Sequence, residues 1–285
     1  MDRSELAAQI QVTPTVIVLC IFFGIPTLAV VVVSFCEYDV GRIIPTFTLE
    51  NYVELFSSET TLRLYISSIW FTLMVWIITL VVGFTIAYFL IFHVNGILWQ
   101  MGLFLLCTIP FWTSNIIRMI SWIPFLGRNG VFNQALTQAG LISQPLDFLL
   151  FSDFAVILAY VHLYTLFMIV PIFNSMARID KRLLEAATDA GASRWQAVRN
   201  VVIPLSKTGI ALGSIFVVAL VMGDFYVVKV MSGGQSGSVV SAMSNEISSL
   251  QYPPAAASAV VLTVIVIAFV ASVLRLVDVR KELAG

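Results

Sequence analysis

An all-α integral membrane fold is predicted by three features of this sequence. Of its 285 residues, 59% are hydrophobic and only 11% are charged, whereas a soluble domain carries about 25% charged residues. The apolar residues gather into six runs, roughly 15–35, 65–92, 97–120, 154–176, 208–230 and 255–276, each near the ~20 residues that a membrane-crossing helix needs. None of the runs alternates like a barrel strand. A lone strand would leave its backbone groups unpaired in lipid, so each run reads as a helix.

The first run follows the opening "MDRSELAAQIQVTPTV". That opening lacks the basic start and short apolar core of a cleaved signal peptide, so 15–35 reads as a retained span. Pro26, Pro110 and Pro171 fall inside spans. Each removes a backbone donor and is expected to kink its helix, with neighbouring helices satisfying the freed carbonyls. The three cysteines show no metal-like spacing. Cys20 and Cys107 lie in apolar runs and are expected to be buried, inert thiols, and Cys36 has no evident partner.

Six spans place both termini on one side, and the basic residues choose which. With the N-terminus inside, the inner segments hold Arg3, Arg178, Lys181, Arg182, Arg194, Arg199, Lys207, Arg275, Arg280 and Lys281, ten of the fifteen basic residues. The outer segments and span ends hold Arg42, Arg63, Arg118, Arg128 and Lys229. Both termini are therefore expected in the cytoplasm of a cell with this chain in its inner membrane. The outer side is acidic. That reads either as a field that concentrates cations or as a solvated face from which Lys and Arg are excluded. A net charge of −1 gives no sign of a nucleic-acid partner.

The most polar stretch, "RIDKRLLEAATDAGASRWQAVRNVVIPL" at 178–205, sits between two apolar runs. Asp180 is a good N-cap, the residues after it are strong helix formers, and Gly191 is a natural helix stop. Ser193 and Gln196 have the spacing of a capping box that opens a second helix, expected to end near Pro204. Trp195, Val198 and Val202 form one apolar stripe, and Leu183, Ala187 and Ala190 form another. A solvated loop needs no stripes. A surface that receives a partner, or that lies on the bundle's inner ends, does.

"EAATDAGASRWQAVRNVVIP" resembles the EAA loop of ABC-importer permeases. The matching residues are Glu185, Ala186, Ala187, Gly191, Val201, Ile203 and Pro204. "PFWTSNIIRMISW" (110–122), "NGVFNQAL" (129–136) and "MGDFYVVKVMSGG" (222–234) are similar to stretches of spermidine/putrescine-type permeases, from which Pro124 and Lys229 depart. The resemblance implies a six-helix type I ABC-importer permease bundle, one transmembrane domain over 1–285, with cytoplasmic coupling helices in the loop 177–207. It further implies a second permease subunit in a heterodimer, a dimeric cytoplasmic ATPase and an extracytoplasmic substrate-binding protein. Glu185 would meet the ATPase and Gly191 would set the turn. ATP and Mg would belong to the ATPase, with no cofactor in this chain. The implied cargo is a small polar solute, a polyamine or related amine. The wider group also serves phosphonates, other amino compounds and metal ions.

Candidate residues for the path follow from intramembrane polarity. Asp224 is an expensive carboxylate in the outer half of the fifth span, and Arg118 ends the third span at a similar depth. They are read either as a buried ion pair or, for Asp224, as a contact to a cationic substrate. Phe111, Trp112, Asn115 and Tyr226 lie near the same level. The aromatic faces would suit an ammonium group, or they form an interfacial belt. His162, mid-span, is read as a structural hydrogen-bonding group or a pathway residue. "SGGQSGS" (232–238) is read as a loop that closes over a ligand or as a plain turn. No Walker sequence, phosphate loop or nucleophile–base pair is present, so this chain is expected to transport and not to catalyse. An ion-coupled secondary transporter is the competing class, but such proteins often carry internal repeats, and none is evident.

Overall fold

The computed structural model describes residues 3–39 and 41–276. Arg280 and Lys281 of the orientation argument lie outside the described residues. The first span consists of α1 (Arg3–Leu19), a π turn at Cys20–Gly24 and α2 (Ile25–Val33). An antiparallel hairpin of β1 (Cys36–Asp39) and β2 (Arg42–Phe47) follows, then α3 (Glu50–Ser57). The second span is α4 (Glu59–Phe92). Next come α5 (Ile97–Thr108), a 3-10 turn at Ile109–Trp112, α6 (Asn115–Ile120), α7 (Trp122–Leu126) and α8 (Val131–Gln138). The fourth span is α9 (Asp153–Met176). The polar stretch holds α10 (Arg182–Asp189) and α11 (Arg194–Ala197), and a π turn at Val198–Val202 leads into α12 (Ile203–Gly223). The chain closes with α13 (Tyr226–Met231), α14 (Val239–Ser248) and α15 (Tyr252–Leu276).

Two expected elements are corrected. The third span is not a continuous helix over 97–120. It stops at Trp112 and resumes at Asn115 with a bend of 91°. Pro110 has no N–H to give, and Thr113 takes up extended backbone after it (φ −102°, ψ 151°). Among the described residues, five helices are long and apolar enough to cross a membrane, and six if this bent pair counts as one span. The second correction concerns Pro204, which does not end the helix that begins after Ser193. Helix runs unbroken from Arg194 to Gly223. The ladder widens just before the proline, where the Ile203 N–H reaches back to the Val198 carbonyl. A π turn absorbs the bond that proline cannot make. Pro26 is handled the same way, with the Ile25 N–H bonded to the Cys20 carbonyl. The fifth span therefore stops at Gly223, short of the expected 230, and Asp224 follows in extended conformation.

Two compact units divide the chain. In the unit of Met1–Leu64 and Ala242–Val264, Asn51 ties α3 to the end of the first span. Its amide donates to the carbonyls of Ser34 and Cys36 at 3.0 and 2.9 Å. No residue of the Gln11–Val33 span is buried within the chain. Cys20, expected to be buried, is therefore exposed, and Cys107 is half-buried. The hairpin carries Tyr38 and Ile43 at opposed positions. It was not foreseen, because 36–64 reads only as an outer loop.

The core of the unit of Tyr65–Ser241 and Ile265–Gly285 is the contact of α9 with α12. Gly209 faces the Pro171 carbonyl so closely that a Cβ would lie 2.4 Å from that oxygen. One turn on, a Cβ at Gly213 would lie 2.7 Å from the sulfur of Met168. On α4, a Cβ at Gly83 would come within 2.8 Å of the same Met168 side chain. Without an aqueous driving force between helices in lipid, small residues let backbones approach and gain van der Waals contact. The spacing Gly209-x-x-x-Gly213 does this here. Buried hydroxyls return to their own helix: Ser206 donates to the Val202 carbonyl and Thr79 to that of Val75, each at 2.7 Å.

Candidate functional site

Both chain breaks carry candidate residues into the second unit. The first is the bend at 113–114. It turns α6 so that Arg118 is buried, with 6% of its surface exposed. The guanidinium sits 5.3 Å from the centroid of Phe111 and donates to the Asn115 side chain. Among the described residues its Nε has no hydrogen-bond partner. The second break is at Asp224. Its Oδ1 accepts from the Val227 N–H at 2.9 Å, so the side chain caps the start of α13. Its Oδ2 accepts from the Tyr164 hydroxyl at 2.9 Å, and its carbonyl accepts from the Tyr160 hydroxyl at 3.3 Å. The expected alternative of a pair with Arg118 is not formed. Among the described residues the ion pairs are Arg63–Glu59 and Arg128–Asp147.

Sequence reasoning missed Tyr160, Tyr164 and Phe167, which line one face of α9. Phe167 meets Phe111 edge-on at 4.9 Å and lies 6.2 Å from Tyr164. Tyr160 and Tyr164 stack at 5.8 Å. Their spacing of four and then three residues is a helical stripe that the sequence does display. Tyr164 lies within electrostatic reach of both Asp224 and Arg118. Counting 1.5 Å per residue from Asp153, the tyrosines lie roughly 10–16 Å along α9, in its N-terminal half. The structure thus brings together Phe111, Asn115, Arg118 and Asp224. Trp112 points away and is 86% exposed, and Tyr226 packs into the core edge and meets Phe225. His162 accepts from the Trp122 indole N–H at 3.0 Å, the structural role. The 232–238 loop is tied down. Ser232, fully buried, donates to the Ser236 carbonyl at 3.0 Å, and the Ser236 hydroxyl binds Asp153.

At the other end of α9 stands the polar helix pair. Asp180 accepts from the Arg182 N–H at 2.9 Å, and Gly191 has φ +85°, the left-handed turn only glycine enters freely. Both bonds of the Ser193–Gln196 capping box form, at 2.7 and 3.3 Å. Ile179, Leu184 and Val202 anchor the pair on the core. Glu185, Ala186, Leu183 and Trp195 face outward, Trp195 with 66% exposure. Ala187 is half-buried and Pro204 lies on the helix surface. The two stripes therefore split: their inner members pack, and Leu183, Ala190 and Trp195 stay uncovered.

In the unit that includes α3, Glu54 and Glu246 line a polar cavity of about 160 Å³ with Tyr38, Asn51 and Gln251. Burial first, and the neighbouring Glu54 carboxylate second, hold the Glu246 carboxyl above its usual range.

Residues 100–281 match the family described as "Binding-protein-dependent transport system inner membrane component". The spermidine/putrescine transport system permease protein PotB of Haemophilus influenzae is 35% identical over 222 residues, 76% of this chain and 75% of that protein. PotB of Escherichia coli K12 is 33% identical over 251 residues, 87% of this chain and 89% of that protein. A bacterial ABC transporter chain involved in the import of the polysaccharide alginate shares the fold, with TM-score 0.72 over 96% of each chain at 17% identity. The helical bundle, its bent third span and these matches make the chain a member of the binding-protein-dependent inner-membrane transport family, a multi-pass permease subunit of an ABC importer.

Proposed function

We propose that this permease imports a small amine of the polyamine class, delivered by an extracytoplasmic binding protein and driven by a separate dimeric ATPase that carries ATP and Mg. The observation that carries the reading is the outward-facing helix pair Arg182–Ala197. It is rigidly capped, anchored from below, and leaves Leu183 and Trp195 exposed in a basic, water-facing segment. That is the chemistry of a protein-docking surface: apolar anchors within a charged rim. Glu185, Ala186, Ala187, Gly191 and Pro204 belong to this coupling element. The ten-to-five excess of basic residues supports a cytoplasmic place for the loop 177–207 and for both termini.

The amine assignment rests on the PotB relatives and on one chemical feature. Asp224 is a half-buried carboxylate in the extended link where the fifth span ends and α13 begins, beside aromatic rings. Discontinuous helices near the middle of the bilayer are where transporters build substrate sites, and a carboxylate with aromatic faces suits an ammonium. Phe111, Asn115 and Arg118 complete the candidate path, which Trp112 and Tyr226 do not join. A second, non-identical permease subunit would close it.

Uptake of radiolabelled spermidine and putrescine tests the reading. Cells lacking their own polyamine importers would express this chain with the ATPase, permease and binding protein encoded beside it. Uptake that needs every component is expected. Uptake by this chain alone, driven by an ion gradient, would overturn the ATP-coupled reading. Uptake of phosphonate or another amino compound with no amine uptake would overturn the cargo.

A further inference from the structure

Arg118 poses a problem that the proposed transport function does not absorb. Only 6% of the residue is exposed, and among the described residues no acidic group lies within ion-pair distance and its Nε has no hydrogen-bond partner. A buried cation held only by an amide and a ring face is costly. Asp224 poses the complementary problem. Its carboxylate is held by a neutral phenol and a single backbone N–H. Both charges sit where the backbone can turn. Arg118 follows the 91° bend, and Asp224 is the extended link between α12 and α13. Tyr164, on the continuous helix α9, lies in electrostatic reach of both.

We propose that Arg118 and Tyr164 alternate as partners of the Asp224 carboxylate when the bundle changes conformation, which makes both of them positioning residues of the transport cycle. In the state seen here Tyr164 holds the carboxylate and Arg118 leans on Phe111 and Asn115. A rearrangement at either break that brought the opposite charges together would form this pair. The orphaned Nε would then gain its acceptor, and the α12–α13 link would be pulled away from α9. A transporter needs two arrangements of comparable free energy, and one ion pair that exists in only one of them biases that equilibrium. A static structural role predicts no such change of partner.

The proposal rests on ATP-driven transport, and the test separates the two. The full chain is made with its partner subunits in membranes, with Cys20, Cys36 and Cys107 replaced by Ala. Arg118→Cys and Asp224→Cys are then introduced together. Oxidation with copper phenanthroline is followed by counting free thiols with maleimide–polyethylene glycol. The disulfide is expected to form on the order of tenfold faster in one of two conditions, nucleotide-free or with a non-hydrolysable ATP analogue and Mg. Equal rates in both conditions overturn the proposal if the wild-type complex still shows ATP-dependent uptake. Uptake of labelled spermidine supplies the second arm. Arg118→Asp and Asp224→Arg should each lose it on the order of a hundredfold, as when a buried charge loses its partner, and the combined swap should recover most of it. A swap no better than either single change, at equal membrane abundance, overturns the proposal. If the wild type takes up no amine, the cargo reading fails and the thiol counts alone decide this one.

Discussion

Tyr164 donates its hydroxyl proton to Asp224 across 2.9 Å and, through it, joins α9 to the break between α12 and α13. The bond fixes a carboxylate whose other oxygen already caps α13. A negative charge is thus held inside the bundle by two neutral donors. Losing one donor leaves a partly buried acceptor short of a partner, at a cost of about 1–3 kcal/mol.

Tyr164→Phe should therefore lower the thermal stability of the purified protein in detergent by an amount in that range. Asp224→Asn should cost less, about 1 kcal/mol or below, because an amide keeps the cap and can still bond to the phenol. Unfolding followed by intrinsic fluorescence measures both. A loss of about 3 kcal/mol or more for Asp224→Asn would signal an ion pair with Arg118 in the resting state.

The glycines of α12 make a graded forecast. At Gly209 an added methyl meets the Pro171 carbonyl, which is backbone and cannot yield without moving α9. At Gly213 its shortest contact, 2.7 Å, is with the sulfur of the flexible Met168 side chain, and the Met168 Cα and carbonyl oxygen stand farther off at 3.2 and 3.3 Å. Gly209→Ala should thus destabilise by about 1–3 kcal/mol, in the range of core overpacking, and Gly213→Ala by clearly less. Melting temperatures of the two variants in one detergent check the order.

How much of this was legible in the sequence depends on the range of the forces involved. Local signals were read correctly where neighbouring residues decide the outcome. The Ser193–Gln196 box, the turn at Gly191 and the fourth span at 154–176 are of this kind. Prolines were harder, because each can be met in two ways. Before Pro204 and Pro26 the helix widens and continues, while after Pro110 it breaks. Which outcome wins depends on the packing around the helix, and no local pattern reports it. The partner of Asp224 was missed for a related reason. Tyr164 is sixty residues away in the chain, and a tyrosine in an apolar run reads first as an aromatic belt. The hairpin at 36–47 is stabilised by contacts such as Asn51 to the carbonyl of Cys36, also distant in sequence.

The turn of the proposed docking element should follow backbone rules. Gly191 has φ +85° and open space around its missing Cβ. A substituent there meets no neighbour, so the cost is conformational, about 1–2 kcal/mol for an ordinary residue in the left-handed region. Asn tolerates that region and a β-branched residue does not. Gly191→Asn should keep most uptake and ATPase recruitment, and Gly191→Val should lose both while the protein stays in the membrane. Co-purification of the ATPase with each variant reads the difference. Equal recruitment by wild type and Gly191→Val would show that the turn does not shape the docking surface.

Glu246 supplies a pH dependence whose sign can be stated. Its carboxyl titrates above the ordinary value of about 4.5, first because burial penalises the charged form and second because Glu54 stands nearby. Between that ordinary value and the raised one, the folded protein binds more protons at this site than the unfolded chain does. Stability therefore falls as pH rises through the window, opposite to a carboxylate held by a cation. Among the described residues the Glu246 Oε2 has no hydrogen-bond partner, so no donor there offsets the ionised form at that oxygen. Glu246→Gln removes the titration and keeps the shape. The variant should melt at a higher temperature than wild type at neutral pH, and the difference should shrink as pH is lowered through the window toward 4.5. Melting curves across that range decide it. A Glu246→Gln protein whose advantage grows on acidification would mean that the carboxylate is stabilised in its charged form, as a bound cation between Glu54 and Glu246 would cause.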